Sequence, residues 1–132
     1  MLRNRIRHEL IPLLETYNPG IRKVLARLAD TAAADMEIIE AATGAALASL
    51  RRAGGAFDRD AFRALSPGLR RATLRAACAE ARGNLTDVRA TGIDEALDAL
   101  AGDAESADVA GAPGTRVRVA GRLFQVVASN AG

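Results

Sequence analysis

Basic side chains near the start of the sequence have the types and spacing that bind anions. They are Arg3, Arg5, Arg7, Arg22 and Lys23, and the single histidine, His8, lies among them. An arginine guanidinium binds phosphate through a planar fork of N–H donors. Arg22 and Lys23 fall in the first turns of a predicted helix, where the helix dipole disfavours cations. Because acids are usual at that position, these cations indicate an anion-binding surface, to which the helix N-terminus would add its own attraction.

A second basic group repeats this arrangement, since Arg70, Arg71 and Arg75 follow the predicted helix start at Ser66-Pro67. The net charges by segment are +4 for residues 1–28, −4 for 29–50, +5 for 51–82, −6 for 83–114 and +3 for 115–132. Basic segments of this kind favour a phosphate-rich partner such as a nucleic acid. The alternative is a solvated arginine border whose aliphatic stems cover the edge of an apolar stripe.

Side chains for metal binding or nucleophilic catalysis are scarce in this sequence. One histidine and one cysteine, Cys78, cannot supply the usual zinc ligand sets. The acid pairs on predicted helix faces are expected to be solvated, with a divalent-ion site as the weaker alternative: Asp30/Glu37, Glu37/Glu40 and Asp94/Asp98. No serine or threonine lies in a strand-turn-helix elbow, and no glycine-rich phosphate loop follows a strand. We therefore predict no catalytic residue, metal site or bound cofactor here, and an inactive chain when it is alone.

The elements that position these residues are predicted to be helices. Apolar residues recur at helical spacing from Leu2 to about Thr16, and Pro12 should bend this helix or remove the hydrogen bond to the His8 carbonyl. After an Asn18-Pro19 start, the pattern runs from Ile21 to Leu50, which predicts one helix of roughly 50 Å, with a break near Gly44 as the alternative. Shorter helices are predicted from Asp58 through Phe62 and Leu65 and, after a Ser66-Pro67 start, from Leu69 to Arg82. A further short helix is predicted over Ile93, Ala96, Leu97 and Leu100. Five helices with short connections predict an all-α helical bundle with one long helix.

The C-terminal part of the sequence has a different character. Residues 102–114, GDAESADVAGAPG, are small and acidic, which predicts a linker. Val117 and Val119 alternate along one side and, across a turn at Ala120-Gly121, would face Phe124 and Val126, which predicts a β-hairpin. A lone hairpin is marginal in water, so it must pack on the helices or belong to a sheet completed elsewhere. The predicted division is a helical domain (1–101), the linker (102–114) and the hairpin (115–128).

Nothing in the sequence predicts export or a membrane span. No stretch reaches the roughly 18 apolar residues that a span needs, and the N-terminus lacks the layout of a signal peptide. The single cysteine allows no intrachain disulfide, and Cys78 is expected to fill the core. These features favour a cytoplasmic protein without membrane contact.

The N-terminal stretch LRNRIRHELIPLLETYNPGIRKVLARLAD strongly resembles the segment after the catalytic domain of bacterial tRNA(Ile)-lysidine synthetases. The positions that match the family pattern are Arg3, Asn4, Ile6, Arg7, Pro12, Leu14, Asn18 and Pro19. LSPGLRRATLRAAC resembles a later helix of that family, with Leu69 where glutamine is common, GIDEALDAL resembles its next helix, and PGTRVRVAGRLFQVV its hairpin. The resemblance covers most of residues 2–127 and is specific in the first of these stretches.

The resemblance implies a fragment, the tRNA-binding helical middle domain, with residues 1–17 as the helix that connects it to a catalytic domain upstream of Met1. The family uses ATP, with Mg, and lysine to modify the wobble cytidine of a CAU-anticodon isoleucine tRNA. The family's Ser-Gly-Gly-x-Asp-Ser nucleotide loop is absent from this sequence. The implied partners are tRNA and the missing catalytic domain. By the resemblance, Arg3 and Arg7 are candidates for the active-site edge or a phosphate contact, and the RNA-binding candidates are Arg3, Arg5, Arg7, Arg22, Lys23, Arg70 and Arg71.

Two other hypotheses stay open at this point. The chain could be a structural helical spacer or dimerisation module without direct RNA contact, whose exposed apolar face docks the catalytic domain or forms a homodimer. It could also be a free-standing regulator with Met1 as its true start.

Overall fold

The computed structural model describes residues 1–83 and 93–129, which fall into two compact units, Met1–Ile39 and Glu40–Gly132. We call these the N-terminal unit and the C-terminal unit, and α3 contributes residues to both. The helices are α1 (Leu2–Arg5), α2 (Ile11–Tyr17), α3 (Ile21–Leu50), α4 (Arg59–Ala64), α5 (Pro67–Arg82) and α6 (Ile93–Ala101). The strands are β1 (Phe57–Asp58), β2 (Ser106–Ala110), β3 (Thr115–Ala120) and β4 (Leu123–Ala128).

A widened helical turn accommodates the proline of the first helix. α1 and α2 are joined by one π-helical segment, Ile6–Leu10, so the chain stays helical from Leu2 to Tyr17. Pro12 has no N–H to donate, and the N–H of Ile11 donates to the Ile6 carbonyl, five residues back. The predicted disturbance at Pro12 therefore takes the form of a π turn just before it.

Side-chain caps begin α4 and α5 at the positions that the sequence predicts. Asp58 Oδ1 accepts a hydrogen bond of 2.9 Å from the N–H of Ala61. Ser66 Oγ accepts one of 3.3 Å from the N–H of Leu69, and a proline occupies the first turn. α5 ends at Gly83, whose φ of 70° is a left-handed conformation that glycine adopts without strain. Asn84, predicted to end this helix together with Gly83, lies outside the described residues.

The prediction of an all-α helical bundle with one long helix, plus a C-terminal β-hairpin, is wrong. The C-terminal unit contains a four-stranded antiparallel sheet in the order β1-β4-β3-β2. β3 and β4 are the predicted hairpin, and their register pairs Val117 with Val126 and Val119 with Phe124, as the alternation predicted. β2 lies within the segment predicted as a linker, and β1 is a two-residue strand beside β4. Because a hairpin alone is marginal, the outer strands stabilise it by pairing with both of its free edges.

The core of the C-terminal unit lies where the sheet packs against the helices. The Phe57 and Phe62 rings lie 5.3 and 5.4 Å from the Phe124 ring, measured between centroids, so this cluster joins β1, α4 and β4. The buried side chains around it include Leu47, Leu50, Leu74, Ile93, Leu100 and Val117. Cys78 is fully buried in the same cluster, which confirms its predicted role as a core residue.

Arg59 is a charged side chain inside this unit, with 3% of its surface exposed. Its guanidinium donates five hydrogen bonds of 2.6–3.2 Å to backbone carbonyls, those of Ala99, Leu100, Gly102, Ala104 and Gly121. Three of these acceptors lie at the end of α6, where carbonyls lack helical partners and the helix dipole is negative. The Gly121 carbonyl lies in the turn between β3 and β4. Arg59 therefore ties α4 to the end of α6 and to the hairpin.

The cap at Asp58 gives the fold a sensitivity to acid. The hydrogen bond from the Ala61 N–H lowers the pKa of Asp58, and the Arg52 guanidinium, 2.8 Å from Oδ2, lowers it further. Because the folded-state pKa lies below the unfolded value of about 3.9, the carboxylate stabilises the fold above about pH 4 and loses this contribution as the pH falls. We expect Asp58→Asn to have a shallower decrease in Tm than the wild type between about pH 5 and pH 2.

Thermal unfolding followed by circular dichroism at a series of pH values measures this difference. Asp30→Asn, which removes an exposed carboxylate from α3, is the matched control and should keep the wild-type pH profile. An Asp58→Asn profile parallel to that of the wild type would contradict the assignment.

Candidate nucleic-acid interface

The arginines of the first helix lie on the exposed surface of the N-terminal unit. Arg5 Nε donates to the Glu9 carboxylate at 3.2 Å, an i,i+4 pair. Arg3 and Arg7 are also exposed, one helical turn apart, and neither forms an ion pair with a residue that the structure describes. Their guanidinium donors are therefore available to an anion in solution, and His8 is exposed beside them.

The start of α3 adds further cations to the same unit. Its first turn contains no acidic residue. Arg22 forms an ion pair with Glu15 of α2, which neutralises part of the charge predicted to bind phosphate. Lys23 and Arg27 are exposed and have no ion-pair partner within residues 1–83 and 93–129. The sequence prediction did not single out Arg27, although it lies one turn after Lys23 and belongs to the same basic segment.

The predicted arginines at the start of α5 lie in the C-terminal unit and contact its other elements. Arg70 Nε donates to the Leu65 carbonyl at 2.8 Å, just after the end of α4. Arg71 forms an ion pair of 2.5 Å with Asp94 in the first turn of α6. These contacts give both side chains a role in joining helices. Their predicted role in RNA binding stays a prediction.

Two arginines after α3 also serve the fold. Arg51 donates to both Glu80 oxygens at 2.6 and 2.8 Å, and its guanidinium lies 5.6 Å from the centre of the Phe57 ring. The hydrogen bond with Glu80 raises the pKa of Arg51 above its ordinary value. Arg52 pairs with Asp58 at 2.8 Å. Arg3, Arg7, Lys23 and Arg27 of the N-terminal unit therefore have neither an ion-pair partner nor a carbonyl acceptor among the described residues, whereas Arg59 and Arg70 of the C-terminal unit donate to backbone carbonyls.

Acidic, histidine and cysteine side chains do not assemble into a metal site in the part of the chain that the structure describes. No group of three such residues converges there. Two carboxylates, Asp58 and Asp108, have pKa values below the ordinary value for aspartate. Asp58 accepts a hydrogen bond from the Ala61 N–H, and Asp108 accepts one from Arg116. Both are paired with arginine, as expected for carboxylates that stabilise a fold.

Two known proteins show similarity over most of this chain. A tRNA(Ile)-lysidine synthase of Geobacter sulfurreducens is 40% identical over 103 residues, covering 75% of this chain. A tRNA(Ile)-lysidine synthase of Dehalococcoides mccartyi is 31% identical over 102 residues, covering the same share. The chain is a relative of the tRNA(Ile)-lysidine synthases. This finding confirms the relationship predicted from the N-terminal stretch that contains Arg3 and Arg7.

The chain spans 22% of the length of each tRNA(Ile)-lysidine synthase that it matches. It matches no family model. None of the helices among the described residues is long and apolar enough to cross a membrane.

Proposed function

We propose that this chain is a region of a tRNA(Ile)-lysidine synthase that binds tRNA and positions it. The observation that carries the proposal is the pair of exposed arginines, Arg3 and Arg7, in the stretch that resembles the family. An arginine without a carboxylate partner keeps its fork of donors for a phosphate, and charge-assisted bonds of that kind are the strong ones. Because both similar proteins are named tRNA(Ile)-lysidine synthases, we expect that phosphate to belong to the tRNA backbone.

In this proposal the whole enzyme, in the cytoplasm, uses ATP with Mg and attaches lysine to the wobble cytidine of a CAU-anticodon isoleucine tRNA. The sequence contains no Ser-Gly-Gly-x-Asp-Ser loop, and no three metal-ligating side chains converge among the described residues. The residues present therefore do not fit ATP or Mg, and a catalytic domain elsewhere in the polypeptide would hold them. Residues 1–17 would connect that domain to this region.

The proposal assigns different contributions to tRNA binding to the different cations. Arg3 and Arg7 would contact phosphate or the edge of the catalytic site. Further contacts to the tRNA backbone would come from Arg5, Arg22, Lys23, Arg70 and Arg71. Arg5, Arg22 and Arg71 would have to exchange their carboxylate partners for phosphate. Since such an exchange lowers the gain in free energy, we expect Arg3, Arg7 and Lys23 to contribute more to tRNA affinity.

The double variant Arg3→Ala/Arg7→Ala tests the proposal. Each phosphate contact releases counterions, so removal of one arginine should make the slope of log K against log salt shallower by about 0.7–0.9, and removal of both by about 1.4–1.8. Fluorescence anisotropy of a labelled CAU-anticodon tRNA, titrated with the protein over a salt series, measures the slope. Circular dichroism should show an unchanged fold because both side chains are exposed.

Arg118→Ala/Arg122→Ala is the control for net charge, since it also removes two exposed cations, which lie on the hairpin of the C-terminal unit and pair with Asp108 and Asp60. It should leave the salt slope of tRNA binding within error of the wild type. If both double variants lower the slope equally, tRNA responds to the net charge and the assignment of Arg3 and Arg7 is wrong. Absence of tRNA binding at low salt, even with the catalytic domain restored, would also reject it.

A second candidate function, docking of the catalytic domain, is favoured by the apolar surface of the first helix. Leu2, Ile6, Leu10 and Leu13 line one side of it, and all four are exposed in this chain. Charge reversal at Arg3 and Arg7 separates the two functions. tRNA binding by these arginines predicts loss of modification with intact assembly, whereas docking alone predicts loss of assembly or stability.

A further inference from the structure

The first part of α3 is a helix without a covering partner in the part of the chain that the structure describes. Every residue from Arg22 to Ile39 is exposed. The large apolar side chains there, with 39–69% of their surface exposed, are Val24, Leu25, Leu28, Met36, Ile38 and Ile39. Helices in proteins draw most of their stability from packing an apolar face. We therefore expect this apolar face to pack against a partner.

Charge along the same segment is divided into two blocks of opposite sign. Residues 21–28 contain Arg22, Lys23 and Arg27 and no acid, whereas residues 29–39 contain Asp30, Asp35 and Glu37 and no cation. Apart from the Arg22–Glu15 pair, none of these side chains forms an ion pair with a described residue. An exposed helix with opposite charges in its two halves is complementary to itself when a second copy runs antiparallel.

Asp35 defines the register of such a pair. It follows Leu28 by seven residues and precedes Ile39 by four, so it lies on the apolar face of α3. Arg27 flanks the same face. In an antiparallel pair with its two-fold axis beside Thr31, halfway between them, each Arg27 lies opposite Asp35 of the second copy. A parallel pair would instead place the two Asp35 carboxylates next to each other, and like charges at that position repel.

We propose that the N-terminal unit self-associates through α3, antiparallel to a second copy of this chain, with reciprocal Arg27–Asp35 ion pairs at the interface. Small side chains at residues 31–34 let the two helices approach closely at the axis. This inference goes beyond the proposed tRNA binding, which rests on Arg3 and Arg7 of the first helix. A second copy accounts for both charge blocks, because in the antiparallel pair the basic block of each copy lies next to the acidic block of the other.

Charge exchange tests the pairing in the full 132-residue chain. Sedimentation velocity over a concentration series should show a dimer for the wild type. Arg27→Asp and Asp35→Arg each place like charges opposite each other twice per dimer, so each should raise the dimer dissociation constant at least about tenfold. The double variant Arg27→Asp/Asp35→Arg restores both pairs with reversed sign and should return the constant to within about threefold of the wild type.

Asp30→Arg is the matched control, because Asp30 lies about 200° around the helix from Leu28 and is exposed on the opposite face. It makes the same change of charge as Asp35→Arg and should leave the dimer intact. A wild type that stays monomeric at every concentration overturns the proposal, and this is the result expected if α3 instead docks on another part of a longer polypeptide or on tRNA. A double variant as dissociated as the single ones also overturns it, because the dimer would then not depend on the Arg27–Asp35 pairs.

Discussion

Arg59→Met should lower the free energy of unfolding by about 4 kcal/mol, a large part of the stability of a domain of this size. The substitution keeps an apolar stem of similar length but removes the five donors that bind the carbonyls at the end of α6 and at the hairpin turn. Hydrogen bonds to a charged group contribute about 1.5–3 kcal/mol each, and a buried carbonyl left without a donor carries a further desolvation cost. Chemical denaturation in urea, followed by circular dichroism, measures the change.

Two further variants separate the geometry of Arg59 from its charge. Arg59→Lys keeps the positive charge near the negative end of α6, but an ammonium has three donors and cannot span five carbonyls. It should therefore fall between the wild type and Arg59→Met. Arg63→Met removes a partly exposed neighbour that donates to the Leu100 and Gly102 carbonyls and should cost less than Arg59→Met. A loss below about 1 kcal/mol in Arg59→Met would show that water replaces the guanidinium.

Features that depend on neighbouring residues could be predicted from the sequence. The caps at Asp58 and Ser66 and the hairpin register at Val117 and Phe124 follow from side chains a few positions apart. The sheet could not be predicted in the same way. β2 has the sequence SADVA, in which Ala107 and Val109 alternate with polar residues, but only Val109 is a strong strand former and the surrounding segment is small and acidic. Its Asp108 forms an ion pair with Arg116 of β3 at 2.7 Å. β1 has two residues, and its pairing with β4 depends on the tertiary fold.

The candidate site shows the same division between local and tertiary information. The excess of arginine at the start of the chain, the cations in the first turns of α3 and the family resemblance are properties of the sequence. Which cations remain available depends on partners far along the chain, such as Asp94 for Arg71, 23 residues away. Arg59 is the clearest example, because its local sequence, RDAF, has no feature that predicts burial, whereas its acceptors lie 40 to 62 residues further on. The sequence therefore identifies the candidate cations, and the fold determines which of them form contacts within the protein.

Phe124→Ala should lower the free energy of unfolding by about 3–5 kcal/mol, the usual cost of removing a buried phenylalanine. Phe124 has 2% of its surface exposed and contacts the rings of both Phe57 and Phe62. Because those rings belong to β1 and α4, the cavity would form where the outer strand and the helix meet the hairpin. The decrease combines the transfer free energy of the ring with that of the cavity, and aromatic contacts add about 0.5–1.5 kcal/mol per pair.

Leu123→Ala is the matched control for Phe124→Ala, since Leu123 is the preceding residue of β4, points to the opposite face of the sheet and is 41% exposed. It should cost less than Phe124→Ala, about 1–2 kcal/mol, because it removes a smaller side chain from a residue that keeps 41% of its surface in water. Urea denaturation of both variants gives the comparison. Equal decreases would mean that β4 does not have the alternation that places Phe124 in the core. Native-state hydrogen exchange should show Phe124→Ala lowering protection in β3 and β4 together, because this ring connects the hairpin to the rest of the C-terminal unit.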